Sequence, residues 1–136
     1  MYNITLIPKI SVGNFIFGDN ISNYLYIPHR VVHHDEDELP YDSYIFDELG
    51  ITIWVEDHKI ESISCIIECI WGNKNLVRMC FDDFLSICNN KPNKTESIYL
   101  LVNGRGQNQI VHDFDELGLQ IWVWRKKIVT VIAYKE

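Results

Sequence analysis

The chain of 136 residues is acidic, with a net charge of −7, and 47% of its residues are hydrophobic and 23% charged. This composition is typical of a folded globular protein and excludes an intrinsically disordered chain. No run approaches the roughly 18 to 20 apolar residues of a membrane span, and the first five residues lack the basic region of a signal peptide. We therefore expect a cytoplasmic protein without a membrane partner.

The first segment predicts short strands followed by one short helix. Residues 4–7 and 10–12 favour strands, and the proline between them cannot donate a hydrogen bond to a sheet. Asp19 is a suitable N-cap, and apolar residues then follow at helical spacing. This pattern predicts a helix at about 20–26 that ends before Pro28.

The middle of the chain is repeated near its end. Residues 46–63 and 114–131 are identical at 10 of 18 positions, with an offset of 68 residues, which is half the chain length. The shared positions include an Asp-Glu-Leu-Gly turn and a tryptophan within a strand. Self-similarity at this period indicates a duplicated unit. We predict a single domain, 1–136, made of two repeats at about 1–68 and 69–136.

The second repeat carries the same kinds of element as the first. Residues 81–88 predict a helix, aligned by matching Asp82 to Asp19, and Asn103-Gly104 predicts a tight hairpin turn. Alternating apolar residues after each Asp-Glu-Leu-Gly turn predict strands with one buried face. The expected fold class is α+β, in which each repeat is a short helix plus an antiparallel β-meander and a pseudo-twofold axis relates the two.

The repeats differ most in charge. Residues 1–68 carry three Lys or Arg against twelve Asp or Glu, whereas residues 69–136 carry nine against seven. The acidic run Asp35, Glu36, Asp37 and Glu38 aligns with Asn103 to Gly106, and Glu56-Asp57 aligns with Trp124-Arg125. An acidic half repels nucleic acid and attracts basic proteins, although acidity can also serve solubility alone.

No motif predicts metal binding, a cofactor or catalysis. His33-His34 precedes the acidic run, but adjacent residues of an extended segment point to opposite sides, so few could bind one ion. The four cysteines lack C-x-x-C spacing and lie among apolar residues, which favours buried reduced thiols over a disulfide or zinc site. The chain has neither G-x-S-x-G nor H-E-x-x-H. We expect a protein that is not an enzyme.

Trp54 and Trp122 occupy the same position in the two repeats, on the strand face that alternates with the buried residues. One interpretation places both in the core at the seam between repeats. If that face is open instead, these two residues, with Trp124 and Tyr44, would form an aromatic binding surface.

The segment Val12 to Asp19 (V-G-N-F-I-F-G-D), the duplicated strand-rich unit and the absence of a catalytic motif resemble bacterial immunity proteins. The group concerned protects against polymorphic toxins, including those of contact-dependent growth inhibition. The resemblance implies that the chain binds the C-terminal domain of a cognate toxin, often over its active site. Many such toxins are nucleases with basic clefts, and an EndoU-like RNase is the first expectation.

An acidic protein could occlude such a cleft because it mimics the charge of the polyanionic substrate. The expected charged contacts are Asp35, Glu36, Asp37, Glu38, Glu56 and Asp57, and Trp54 is the expected anchor. A monomer is expected in this case. The alternative is an interaction module or regulator that uses the aromatic sheet face, for example to form a homodimer.

Overall fold

The structure is a computed structural model that describes residues 3–35 and 41–135. These residues form thirteen strands, one α-helix and two 3-10 turns. In chain order they are β1 (Leu6–Ile7), β2 (Ser11–Val12), β3 (Phe15–Ile16), a 3-10 turn (Ile21–Tyr24), β4 (Arg30–His34), β5 (Tyr41–Phe46), a 3-10 turn (Asp47–Leu49), β6 (Ile51–Glu56), β7 (Lys59–Cys65), β8 (Ile70–Trp71), β9 (Lys74–Asn75), α1 (Phe81–Cys88), β10 (Lys94–Val102), β11 (Arg105–Phe114), β12 (Leu119–Trp124) and β13 (Lys127–Tyr134).

One antiparallel sheet of eight strands organises the fold. Its order is β10-β11-β12-β13-β7-β6-β5-β4, so each repeat supplies a four-stranded meander and the two meanders meet at β13 and β7. In that central pair Ser64 lies opposite Ile132, its own counterpart at the 68-residue offset. Two halves that meet antiparallel at equivalent residues are related by a local twofold axis through this pair.

The alternation predicted for the repeated strands is confirmed. Residues 51, 53 and 55 of β6 and residues 119, 121 and 123 of β12 are buried, and the residues between them are half-buried. Each meander has the same register shift, between Trp54 and Val55 and between Trp122 and Val123. Full burial of an aliphatic side chain stabilises a fold by roughly 1.5–3 kcal/mol, so these two strands anchor the core.

Only one face of the sheet receives covering elements among the described residues. In the first repeat the ring of Phe15 lies 5.1 Å from that of Phe46. In the second repeat Phe84 of α1 lies 5.3 Å from Phe114. The covered face is the core face, and all of these aromatic residues belong to one hydrophobic cluster. The opposite face, which carries Trp54 and Trp122, is called the open face below.

The predicted α+β class is wrong. The protein is mostly β: 55% of the described residues lie in strands and 12% in helices and 3-10 turns, and α1 is the single α-helix among them. The helix predicted at about 20–26 is only the 3-10 turn Ile21–Tyr24. The segment is held instead by hydrogen bonds to the Asp19 carboxylate from the N–H of Asn20 and the side chains of Asn23 and Tyr24.

The segments that cover the core face in the two repeats are equivalent at an offset of 60 residues. Matching Asp19 to Asp82 had given an offset of 63. The N–H of Ile60 donates to the Asp19 carbonyl (3.0 Å), and in the second repeat the N–H of Ile128 donates to the Met79 carbonyl (2.9 Å). Asp19 therefore corresponds to Met79. The second repeat accordingly has eight more residues than the first between the covering segment and the meander, whereas matching Asp82 to Asp19 implied five more. No helix within the described residues is long and apolar enough to cross a membrane.

Candidate partner-binding end of the sheet

The topology brings two acidic segments of the first repeat to one end of the sheet. Antiparallel neighbours reverse direction, so the end of β4, the start of β5 and the β6–β7 turn all lie at the same end. The last residues of β4 and β6 are two strand spacings apart, about 10 Å. We call this region the acidic end and define it by Asp35, Asp42, Glu56 and Asp57.

Three of the predicted charged contacts are described, and all three are exposed. Asp35 follows β4, and Glu56 and Asp57 begin the turn into β7. Asp57 and His58 have φ values of 50° and 64°, so the turn is a type I′ hairpin that presents its side chains to solvent. The predicted contacts Glu36, Asp37 and Glu38 lie outside the described residues.

A histidine–aspartate pair at the acidic end was not predicted from the sequence. His33 lies opposite Asp42 across β4 and β5, and its Nδ1 donates to the Asp42 carboxylate at 2.7 Å. This hydrogen bond, together with the charges of Asp42 and Asp35, raises the pKa of His33. The imidazolium therefore persists to higher pH than usual and offsets part of the acidic charge. Only the strand register reveals this pair, since the two residues are nine positions apart in the chain.

Trp54 lies on the open face beside the acidic end. It pairs with Ser43 on β5 and with Ser62 on β7, and its side chain is half-buried. Neither Trp54 nor Trp122 belongs to the hydrophobic core cluster. Trp54 and its counterpart Trp122 are therefore surface residues of the open face, and the interpretation that places them in the core is wrong.

Tyr44 does not join this aromatic surface, which corrects the predicted set. It pairs with Ile53, a core residue, and its ring lies 6.0 Å from that of His29. The open face has a different aromatic member near Trp54, namely Tyr41, which stacks on His34 at 4.2 Å. His34 Nε2 lies 2.9 Å from the hydroxyl of Ser43, the neighbour of Trp54. The strand register, not the local sequence, brings Tyr41 and His34 close to Trp54.

The equivalent turn in the second repeat has the opposite charge and lies at the opposite end of the sheet, because the local twofold reverses the strands. Arg125 and Lys126 form its centre, with φ values of 51° and 67°. The Arg125 guanidinium lies 4.3 Å from the ring centre of Trp124. Arg78 and Lys127 line an adjoining cleft of about 450 Å³. Charge is thus separated along a diagonal of the sheet.

Neither a metal centre nor a reactive thiol is evident in the described part of the chain. No three His, Cys, Asp or Glu side chains converge there. Cys65, Cys69 and Cys88 are buried and Cys80 is half-buried, and all four are free thiols. The hydrogen bond with Cys69, and then burial, raise the pKa of the Cys65 thiol well above its ordinary value. A raised pKa disfavours the nucleophilic thiolate.

The comparisons with known proteins add no family. No protein-family model matches the chain, and neither does any curated protein or solved structure with which it was compared.

Proposed function

We propose that the chain is an immunity protein that acts in the cytoplasm and neutralises a cognate toxin domain with its acidic end. The toxin of this proposal is a basic nuclease, first of all an EndoU-like RNase. The observation that carries the proposal is the convergence of Asp35, Glu56 and Asp57 with Trp54 at one end of the sheet. A cluster of carboxylates beside a half-buried aromatic ring suits an interface with a cationic cleft.

The charge distribution supports binding to protein rather than to nucleic acid. The first repeat carries twelve acidic residues against three basic ones, and the acidic end lies within it. A nuclease cleft that binds a polyanion presents positive potential, so the two surfaces attract each other at long range. Trp54 would then supply the contact that is buried on docking, since aromatic anchors carry much of the binding energy in protein interfaces.

The charged part of the proposal is tested with the variant Glu56→Gln/Asp57→Asn. We expect its association rate constant with the toxin domain to fall about tenfold or more at low salt, because exposed interface charges act mainly on association. The salt dependence of the rate should also flatten. The matched control is Asp82→Asn/Asp83→Asn, which removes two exposed carboxylates from α1 of the other repeat.

Stopped-flow or surface-based kinetics with basic nuclease toxin domains, EndoU-like RNases first, would give these rates. The variant in which residues 35–38 are all serine should behave like Glu56→Gln/Asp57→Asn. Equal losses in the α1 control would show that net charge matters and the acidic end does not. Unchanged rates in both acidic-end variants would rule out the charged contact.

The aromatic contact is tested with Trp54→Ala against its counterpart Trp122→Ala. Both residues are half-buried on the open face at equivalent strand positions, so the two substitutions should cost similar stability. Only Trp54 adjoins the acidic end. We expect Trp54→Ala alone to raise the dissociation constant, by about tenfold or more.

A second candidate function is an interaction module that uses the open face, for example to form a homodimer. The observation that favours it is that two half-buried tryptophans, Trp54 and Trp122, lie on this face at equivalent positions of the two repeats. In that case both alanine substitutions would weaken the complex equally.

A further inference from the structure

We propose that the outer edge of β10 pairs with the same strand of a second copy, so that two sheets join antiparallel across a twofold axis at Leu100. This self-association is separate from the proposed toxin contact. β10 is nine residues long and is the last strand of the sheet, bonded only to β11. A long edge strand with free backbone groups is a template for further pairing.

The part of β10 nearest its hairpin turn stands outside the rest of the sheet. β11 pairs with β12 only from Ile110 onward, whereas it pairs with β10 along its whole length. Residues 98–102 and 105–109 therefore form a two-stranded ribbon. An isolated two-stranded ribbon is only marginally stable in water. Pairing of its apolar strand β10 with another strand would therefore stabilise it.

Apolar side chains line both faces of this part of β10, and those on one face are exposed. Residues 98–102 are Ile, Tyr, Leu, Leu and Val. Tyr99 and Leu101, which share one face, are 66% and 67% exposed, the highest values among the large apolar residues of the described strands. Apolar residues on both faces of an edge strand favour burial against another chain.

The backbone geometry sets the register. Asn103 and Gly104 have φ values of 52° and 78°, so they form a two-residue turn in which Val102 and Arg105 exchange hydrogen bonds. Bonds to β11 then recur at every second residue. The N–H and C=O groups of Tyr99 and Leu101 therefore point away from β11, toward a possible partner strand.

These outward groups match a second copy in a register centred on Leu100. Tyr99 of each copy would lie opposite Leu101 of the other and exchange two hydrogen bonds with it, four in all. Leu100 would face its own counterpart, and Ile98 would face Val102. The five apolar residues are thus self-complementary, and no charged side chain opposes one of like charge.

Charge permits a second copy at this edge and opposes one at the acidic end. Two copies with a net charge of −7 each repel one another. Residues 94–114 contain two basic residues, Lys94 and Arg105, and two acidic ones, Glu96 and Asp113, so the ribbon and its strands are neutral. Pairing through β10 also places the two acidic ends at opposite extremes of the joined sheet, because β4 is the far edge.

The other edge of the sheet is a poorer site for a second copy. β4 has only five residues, and its ends carry Arg30, His33 and His34. Short edge strands with charged or polar side chains resist pairing. At the 68-residue offset Val31 and Val32 correspond to Tyr99 and Leu100, which gives matched control positions on β4.

Sedimentation equilibrium of the full chain, from low micromolar to near-millimolar concentration, tests the proposal. The apparent mass should rise from the 16.0 kDa of one chain toward twice that value. Leu101→Pro removes only an outward N–H, which edge strands tolerate, so the variant should keep its circular dichroism spectrum and stay at the mass of one chain. Val31→Lys on the opposite edge should leave the dimer unchanged.

A crosslink tests the register independently of stability. Leu100 should face its counterpart in a pair without hydrogen bonds, where Cα atoms lie about 4.5 Å apart, within reach of a disulfide. Leu100→Cys should therefore form a covalent dimer on mild oxidation, and Val32→Cys should not.

A wild-type chain that remains a monomer at every concentration would overturn the proposal. So would a dimer that survives Leu101→Pro, one that is lost in Trp122→Ala instead, or masses beyond the dimer. Because Leu101→Pro leaves the acidic end intact, its toxin binding should be unchanged, so the two proposals fail separately.

Discussion

The Tyr24 hydroxyl links the first 3-10 turn to the strand before it. It donates to the Asp19 carboxylate at 2.7 Å and accepts from the N–H of Ile16 at 3.3 Å. Burial, and then the hydrogen bond to Asp19, raise the pKa of Tyr24 to about 12. A polar N-cap was predicted here, but the predicted residue, Asp19, is wrong. The N-cap is Asn20. Neighbouring Asp and Asn side chains are equivalent as caps until the backbone direction is known.

We expect Tyr24→Phe to destabilise the fold by about 1–2 kcal/mol, because it removes a partly buried hydrogen bond to a charged group. The pKa of Tyr24 is raised in the folded state, so its stabilisation is complete below pH 10 and is lost as the pH rises toward 12. The difference between wild type and Tyr24→Phe should therefore shrink over that window. Urea unfolding at a series of pH values measures it.

The control for that experiment is Tyr26→Phe, because Tyr26 is 69% exposed. Its unfolding free energy should match that of wild type at neutral pH. A Tyr24→Phe variant as stable as the control would show that the hydrogen bond contributes nothing.

At the scale of elements, the sequence predicted what depends on neighbours in the chain. The hairpin at Asn103-Gly104, the Gly50 turn and the alternation along β6 were all predicted, and positive φ values and burial confirm them. The pairing of β7 with β13 was not predicted, and the choice between a core and an open face for the tryptophans was left undecided, because both depend on contacts between distant segments. The prediction of a helix at about 20–26 was wrong because side-chain hydrogen bonds at Asp19 outweighed the local helical spacing of apolar residues.

The hairpin turns allow a test of backbone strain. Lys126 adopts φ of 67° without being glycine, which costs free energy for a residue with a Cβ. We expect Lys126→Gly to stabilise the fold by about 0.5–1 kcal/mol. Conversely, Gly104→Ala should destabilise it by about 1 kcal/mol, since Gly104 has φ of 78° and no atom lies within 4 Å of where a Cβ would be.

Chemical denaturation of each variant and of the wild type would measure both changes in the free energy of unfolding. The opposite signs are the essential result, because they separate backbone conformation from lost contacts. If Lys126→Gly were destabilising, flexibility of the unfolded chain would outweigh the strain in that turn.

At the scale of the whole molecule, the two repeats share one core but differ in charge at the two ends of the sheet. The residues that the repeats share form the turn, the buried strand face and the tryptophan position, all of which the sheet requires. The residues that differ give the acidic end in one repeat and the basic turn in the other. The continuous sheet across β7 and β13, and a hydrophobic cluster with members from both repeats, couple the halves mechanically.

This coupling predicts a single unfolding transition to which both repeats contribute. Ile53 and Ile121 are equivalent, fully buried members of the shared cluster. We expect Ile53→Ala and Ile121→Ala each to destabilise the protein by about 2–5 kcal/mol. Either variant should shift the whole transition, with tryptophan fluorescence and far-ultraviolet circular dichroism changing together, because neither half can lose its core alone. Val32→Ala, on the exposed edge strand β4, is the control and should shift the transition little. If either core variant instead split the unfolding curve into two steps, the repeats would be independent folding units, and the central β7–β13 pair would join two cores rather than unify one.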